Sequence, residues 1–133
     1  MRLLGIDYGT KNVGIAVGET EHGIAFPKTV LKNDGDFVSA VAAVCLVENV
    51  DQIILGESKN FKGEDNKVMK EILQFKKDLE YVSELPVILE PEFMTSAEAK
   101  HLQGENKMLD ASAAALILKS YFDKNYKQNI QND

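Results

Sequence analysis

Apolar residues alternate with polar or small ones along the first third of the chain, and this spacing predicts three consecutive strands. Residues 3–6 form one apolar run, and the turn sequence DYGTKN separates it from residues 13–17, where every second residue is Val or Ile. The two segments together predict a β-hairpin. A third strand is predicted over residues 24–31, where Pro27 favours an edge position or a bulge because proline cannot donate a ladder hydrogen bond.

From residue 37 onward, segments with helical spacing alternate with short apolar runs of the kind found in buried parallel strands. In chain order, the predicted elements are helix 37–48, strand 52–55, helix 68–82, strand 87–89, a short helix 95–102 and a last helix 109–122. This order predicts an α/β fold built on a mixed β-sheet, with three antiparallel strands followed by parallel strands and helices on both faces.

The length and composition are those of one globular domain. The chain has 133 residues, of which 44% are hydrophobic and 27% charged. We expect a single domain over residues 1–123 and a polar, frayed tail over 124–133, where no apolar stripe is visible. The first apolar run is too short for a signal peptide, and no segment approaches the roughly 20 apolar residues of a membrane span. These features predict a cytoplasmic protein without a membrane partner.

The single cysteine, Cys45, excludes an internal disulfide and a cysteine-based zinc site. It lies within the apolar stripe of the helix predicted over 37–48. A buried structural thiol is therefore expected instead of a catalytic one.

The net charge of −6 argues against a nucleic-acid partner, but the distribution of the lysines matters more than the total charge. Lys59, Lys62, Lys67 and Lys70 fall in one short window after the fourth predicted strand, among acidic residues. Lys59 and Lys62 are the candidates for phosphate contacts. The alternative is that this window is simply a solvated loop and helix start.

Asp7 closes the first strand among apolar neighbours, where an ionised carboxylate costs several kcal/mol unless a cation or hydrogen-bond donors compensate. In the turn that follows, Gly9 is predicted to take a positive φ. Thr10 and Lys11 bring a hydroxyl and an ammonium group close to Asp7, which suits a phosphate or a metal-bound phosphate. The alternative is that Asp7 accepts only backbone N–H bonds in an Asx-turn.

Two further acids occupy unusual positions. Glu92 lies just past the end of an apolar strand, and Asp110 lies on the helical face that packs inward. If Asp7, Glu92 and Asp110 converge, their mutual repulsion requires divalent cations such as Mg²⁺ (or Mn²⁺), and two such ions can hydrolyse a phosphodiester. The alternatives are that Asp110 is a helix N-cap and that Glu92 is an exposed loop acid.

Four stretches, GIDYGTKNVGIAVGE, VDQIILGES, PVILEPEFMTSAEA and LDASAAALILKSYF, resemble in order the motifs of the YqgF (RuvX) family. This family comprises Holliday-junction resolvase-like proteins that are also implicated in pre-16S rRNA processing. The resemblance spans residues 3–122. It implies a ribonuclease H-like fold, catalytic roles for Asp7, Glu92 and Asp110, and structured RNA or branched DNA as the substrate.

The chain departs from the family's usual pattern around two motifs. The family commonly reads Asp-Glu-Arg where this chain reads Pro91-Glu92-Phe93, so one acid and one arginine are missing. Glu90 could replace the missing acid, although adjacent residues of a strand face opposite sides. The proline that the family usually has in the loop after Gly56 is also absent.

Two other functions remain open from the sequence. A non-catalytic or weakly catalytic nucleic-acid or ribosome-associated binding module could use the same fold. The first hairpin also resembles the phosphate loop of actin-like ATPases and sugar kinases, but those enzymes need two such domains, and 133 residues supply one. Either a monomer or a homodimer is compatible with the sequence.

Overall fold

The computed structural model describes residues 1–57, 67–91 and 108–126, with the side chains of residues 108–110 left out. In chain order, the elements are β1 (Arg2–Asp7), β2 (Asn12–Glu19), β3 (Ile24–Lys32), α1 (Phe37–Val47), β4 (Gln52–Gly56), α2 (Lys67–Ser83), β5 (Val87–Glu90) and α3 (Met108–Asn125). All of them were predicted, with ends shifted by a few residues. The short helix predicted over residues 95–102 lies outside the described residues.

The five strands form one mixed sheet in the order β3-β2-β1-β4-β5. β1 pairs antiparallel with β2 and β2 with β3, whereas β1 pairs parallel with β4 and β4 with β5. The α/β fold class and the division into an antiparallel and a parallel half are therefore confirmed.

β3 is an edge strand with a bulge, as Pro27 predicted. Its pairing with β2 shifts register between two successive pairs: Ile15 lies opposite Thr29, and Ala16 lies opposite Pro27. Lys28 is the extra residue, so the proline falls where the ladder is already interrupted.

Helices cover both faces of the sheet, and each face has its own core. On one face, α1 and α2 pack on the side chains of Leu4, Ile6, Ile53 and Leu55. On the other face, α3 packs on Leu3, Ala16 and Ile54. Because side chains alternate along a strand, residues 3, 5 and 7 of β1 face α3, and residues 4, 6 and 8 face α1 and α2.

Glycines let α3 lie unusually close to the sheet. A methyl group at Gly5 would lie 2.5 Å from Leu118 Cγ and 2.8 Å from the carbonyl oxygen of Ala114. A methyl group at Gly56 would lie 2.5 Å from Ile117 Cδ1. Since carbon atoms in ordinary contact lie about 3.5–4.0 Å apart, a methyl group at Gly5 would displace the α3 backbone, and one at Gly56 would displace the end of the Ile117 side chain.

At its C-terminal end, α3 continues to Asn125. The ring of Tyr126 packs near those of Tyr121 and Phe122, with centroid distances of 6.1 and 6.2 Å. This aromatic group anchors the last helical turn, and the domain end expected at residue 123 stays a prediction. Residues 127–133 of the predicted tail lie outside the described residues.

Within the described ranges, no helix is long and apolar enough to cross a membrane.

Candidate active site

Asp7 is the last residue of β1 and is half-buried at the carboxyl edge of the sheet. It pairs with Gly14 of β2, which places no side chain beside it. The strand alternation puts Asp7 on the face that α3 covers, together with Leu3 and Gly5. Asp7 is therefore positioned by local sequence on the face that carries the last helix.

The loop after Asp7 is held by Asn33, which follows β3. The Asn33 side-chain amide donates to the Gly9 carbonyl oxygen at 2.8 Å, and the Asn33 backbone N–H donates to the Lys11 carbonyl oxygen at 2.9 Å. Thr10 and Lys11 are consequently presented to solvent from a fixed loop at the edge of the sheet. The sequence alone does not reveal this role of Asn33, because nothing local indicates a bond across 24 residues.

The prediction that Gly9 has a positive φ is wrong. Among the described glycines only Gly23 has one. Glycine is required at position 9 for a different reason: a Cβ there would clash with the carbonyl oxygen of Asn12. The close approach of the two backbone segments, and not the left-handed conformation, sets the residue type.

Tyr8 anchors the other side of this loop. Its ring lies 6.1 Å from that of Phe37 and 5.5 Å from that of Phe75, measured between centroids. Tyr8 thus points to the α1 and α2 face, opposite to Asp7, and packs there against both phenylalanines.

Asp110 lies in the first turn of α3. The Ala114 backbone packs over Gly5, and the ring of Phe122 packs over Gly18, which pairs with Leu3. α3 therefore runs opposite to β1, and its N-terminal turn lies toward the carboxyl end of β1, where Asp7 is.

The remaining predicted site residues, Glu92, Lys59 and Lys62, lie outside the described residues. Within the described ranges, no group of three or more His, Cys, Asp or Glu residues could hold a metal ion. Of the three acids in the predicted ligand set, only the Asp7 side chain is described, so the set stays a prediction. Carboxylate oxygens are the hard ligands that Mg²⁺ prefers, so the residue types fit this ion.

Glu90 has a structural partner that sequence reasoning missed. Its side chain is only 5% exposed, and its Oε2 atom accepts from Lys124 Nζ at 2.6 Å and from Ser120 Oγ at 3.0 Å. This buried carboxylate joins the end of β5 to the last turns of α3. Glu90 is thus engaged in an ion pair, which argues against its replacing the missing acid beside Glu92.

Cys45 is buried in α1 and free of any disulfide, as expected. Burial raises the pKa of its thiol to about 11. The thiol therefore stays protonated at neutral pH, which excludes it as a ready nucleophile.

The sequence model of the RuvX family, described as Holliday junction resolvase, matches residues 1–124 of the chain. A protein of Lawsonia intracellularis with the name "Putative pre-16S rRNA nuclease" is 33% identical over 141 aligned residues, which cover 98% of this chain and 99% of the relative. A Bacillus subtilis protein of the same name is 32% identical and covers 92% of this chain and 98% of its own length.

Two solved structures share the fold at low sequence identity. The Thermus thermophilus RuvC protein in complex with a Holliday junction substrate superposes with a TM-score of 0.64 at 15% identity, covering 96% of this chain and 97% of that one. The fowlpox virus resolvase in complex with Holliday junction DNA gives 0.63 at 19% identity, covering 96% of this chain and all of the resolvase. The ribonuclease H-like fold expected from the sequence is therefore confirmed.

Proposed function

The chain belongs to the RuvX family, and from this premise we propose that it is a metal-dependent endonuclease acting on structured nucleic acid. Its reaction is the hydrolysis of a phosphodiester bond, in the 5′ region of precursor 16S rRNA or in a Holliday junction. The names of its relatives favour the rRNA substrate, and the family description favours the junction.

The observation that carries this proposal is the register between β1 and α3. Asp7 lies two residues beyond Gly5 on the face that α3 covers, an advance of about 6.7 Å along the strand. Asp110 lies four residues before Ala114, an advance of about 6 Å along the helix in the same direction. Since Ala114 packs over Gly5, the two acids belong at the same level of the carboxyl edge.

In the proposed site, Asp7, Glu92 and Asp110 hold Mg²⁺, or Mn²⁺ in its place. When bound, two such ions supply an activated water and stabilise the leaving oxygen of an in-line displacement. The chain's own contribution is to fix the acids on a strand end and a helix, both rigid elements. Thr10 and Lys11, on the loop clamped by Asn33, orient the phosphate with a hydroxyl and an ammonium group.

Lys59 and Lys62 extend the proposed phosphate contacts along the same edge, because their segment follows the carboxyl end of β4. Exchanging both for alanine is expected to weaken binding and to flatten the salt dependence by up to about two units, one for each lost contact. Binding that keeps its strength and its salt slope would move the nucleic-acid surface elsewhere.

The direct test exchanges Asp7 for Asn. Cleavage of branched DNA and of precursor-rRNA ends, assayed with Mg²⁺ and with Mn²⁺, should fall to background while binding persists, because the variant loses a metal ligand but no phosphate contact. Without metal, the variant should be at least as stable as the wild type, since a repulsive charge has been removed.

A matched control is Asp36→Asn, which removes an exposed carboxylate that makes no capping hydrogen bond. It should leave cleavage unchanged. If wild type cleaves neither substrate and Asp7→Asn lowers the free energy of unfolding by about 1–3 kcal/mol, Asp7 is a structural hydrogen-bond acceptor. The protein would then be a binding module on this fold.

A further inference from the structure

A cavity lies at the same edge of the sheet as Asp7 but on the opposite face. It is open to solvent, has a volume of about 300 Å³, and is bordered by the loop after β1, the turn between β3 and α1, and the exposed side of α2. Asp7, the one proposed catalytic acid whose side chain is described, does not line it. Its nearest link to them is Tyr8, the residue that directly follows Asp7.

Aromatic rings form the inner wall of this cavity. Phe37 and Phe75 are stacked with centroids 4.7 Å apart and are each 4% exposed. Tyr8 packs against both of them but is only half-buried. Of the three rings, Tyr8 is therefore the one whose exposed surface a ligand can contact. Such a rigid wall favours a flat, unsaturated ligand.

Hydrogen-bond acceptors dominate the rim. Asp34, Glu71 and Asp78 contribute carboxylates, and all three are exposed. The amide nitrogen of Gln74 donates to Asp78 at 3.0 Å, and that of Asn33 donates to Gly9, so both amides have oxygen atoms left to accept from a ligand. No lysine or arginine is among the described residues lining the cavity. A phosphate would be repelled here, whereas a ligand with N–H donors would be attracted.

We propose that this cavity binds one unpaired nucleobase bearing an exocyclic amino group, next to the phosphodiester that the enzyme cleaves. The inference rests on the proposed nuclease function and adds a base preference to it. A strand that crosses the sheet edge at residues 7 and 8 presents a phosphate to one face and a neighbouring base to the other. Stacking on Tyr8 supplies sequence-independent binding.

The acceptor rim supplies the selectivity. Cytosine, adenine and guanine each carry an amino group that donates to a carboxylate. Uracil and thymine instead have a carbonyl oxygen at the position of cytosine's amino group, which the carboxylates Glu71 and Asp78 would repel, and the single N–H at N3 is the one donor left on this edge of the base. Cytidine and uridine form a matched pair of ligands, because they are alike in size and differ in the donor and acceptor groups at C4 and N3.

The test is a titration of the isotope-labelled protein with cytidine and with uridine, followed by backbone amide chemical shifts. Cytidine should produce saturable shifts in residues 33–38 and 71–78, and uridine should bind at least about fivefold more weakly. Glu71→Gln and Asp78→Asn, both on the exposed side of α2, should reduce this difference. Glu80→Gln removes a carboxylate of α2 that does not line the cavity and should leave the difference unchanged.

Asp7→Asn separates this proposal from the nuclease proposal, because it should abolish cleavage and leave cytidine binding intact. Equal binding of the two nucleosides, or binding of neither, would overturn the base-binding proposal even if wild type cleaves. A response to arginine amide or spermidine, with none to cytidine, would identify a site for cationic groups and would equally overturn it.

Discussion

Gly56→Ala tests the close packing of α3 on the sheet, on which the register of Asp110 depends. The new methyl group would lie 2.5 Å from Ile117 Cδ1, at least about 1 Å closer than ordinary carbon contacts. Ile117 is 2% exposed and has little room to move. Overpacking of this kind costs about 1–3 kcal/mol. Replacing a glycine by alanine in a strand interior otherwise raises the free energy of unfolding by about 0.5–1 kcal/mol. A net loss of up to about 2.5 kcal/mol is therefore expected.

Ile117→Val removes the atom that clashes. Alone, it should lower the free energy of unfolding by about 0.5–1.5 kcal/mol, because it leaves a methyl-sized void. Combined with Gly56→Ala, the void receives the new methyl group, and the double variant should lie within about 1 kcal/mol of wild type. The two changes should thus be coupled by about 1–3 kcal/mol.

The assay is urea unfolding followed by circular dichroism, since the chain has no tryptophan to report by fluorescence. Gly35→Ala is the control, because nothing lies within 4 Å of a methyl group at that position and its φ is not positive. It should be neutral or raise stability by up to about 1 kcal/mol. If the losses of Gly56→Ala and Ile117→Val simply add, α3 does not contact β4 at these residues, and the close packing of α3 on the sheet is contradicted on its β4 side.

Three further predictions concern stability and the thiol. Lys124→Met leaves the buried Glu90 carboxylate without its cation and should lower the free energy of unfolding in urea by about 1–3 kcal/mol; an unchanged midpoint would show that the ion pair contributes nothing. A hydrogen bond from Arg2, and a weaker contribution from Lys28, hold the pKa of Glu48 below its ordinary value of 4.5. The stability that Glu48 provides is therefore present above about pH 4.5 and lost as the pH falls through its lower folded-state pKa. Melting temperatures between pH 6 and pH 3 should fall more steeply for wild type than for Glu48→Gln, and parallel curves would contradict this. Cys45 should react with a thiol reagent at neutral pH only after denaturant is added, whereas immediate reaction of the native protein would show that the thiol is accessible.

The order of strands and helices was predictable because the local spacing of apolar residues determines it. Each parallel strand is a short apolar run between two helical stripes, and Pro27 alone indicated that β3 is an edge or carries a bulge. The role of the glycines was not predictable. Gly5 and Gly56 are required because residues of α3, more than 60 positions later in the sequence, pack against them. The spacing of apolar residues in a strand does not indicate such a contact.

The candidate site likewise combines residues that local sequence points to with contacts that only the tertiary fold creates. Asp7 stands out in the sequence because an acid at the end of an apolar strand is unusual on its own terms, and the helical period predicts Asp110 on the inward face; both site assignments stay predictions. The Asn33 clamp and the pairing of Glu90 with Lys124 depend on which strands and helices become neighbours, over separations of 24 and 34 residues. Gly9 was given the wrong reason because a backbone contact and a positive φ select the same residue.

The most direct test of the proposed active site is a crystal structure of the protein soaked in Mn²⁺, with the metal located by its anomalous scattering. The account predicts metal bound by the carboxylates of Asp7, Glu92 and Asp110, and two ions about 3.5–4 Å apart if both sites fill. It also predicts that Asp7→Asn crystals soaked in the same way lose this density. Carboxylates of Asp7 and Asp110 more than about 10 Å apart, with Mn²⁺ bound at neither, would contradict the two-metal site while leaving the fold unchanged.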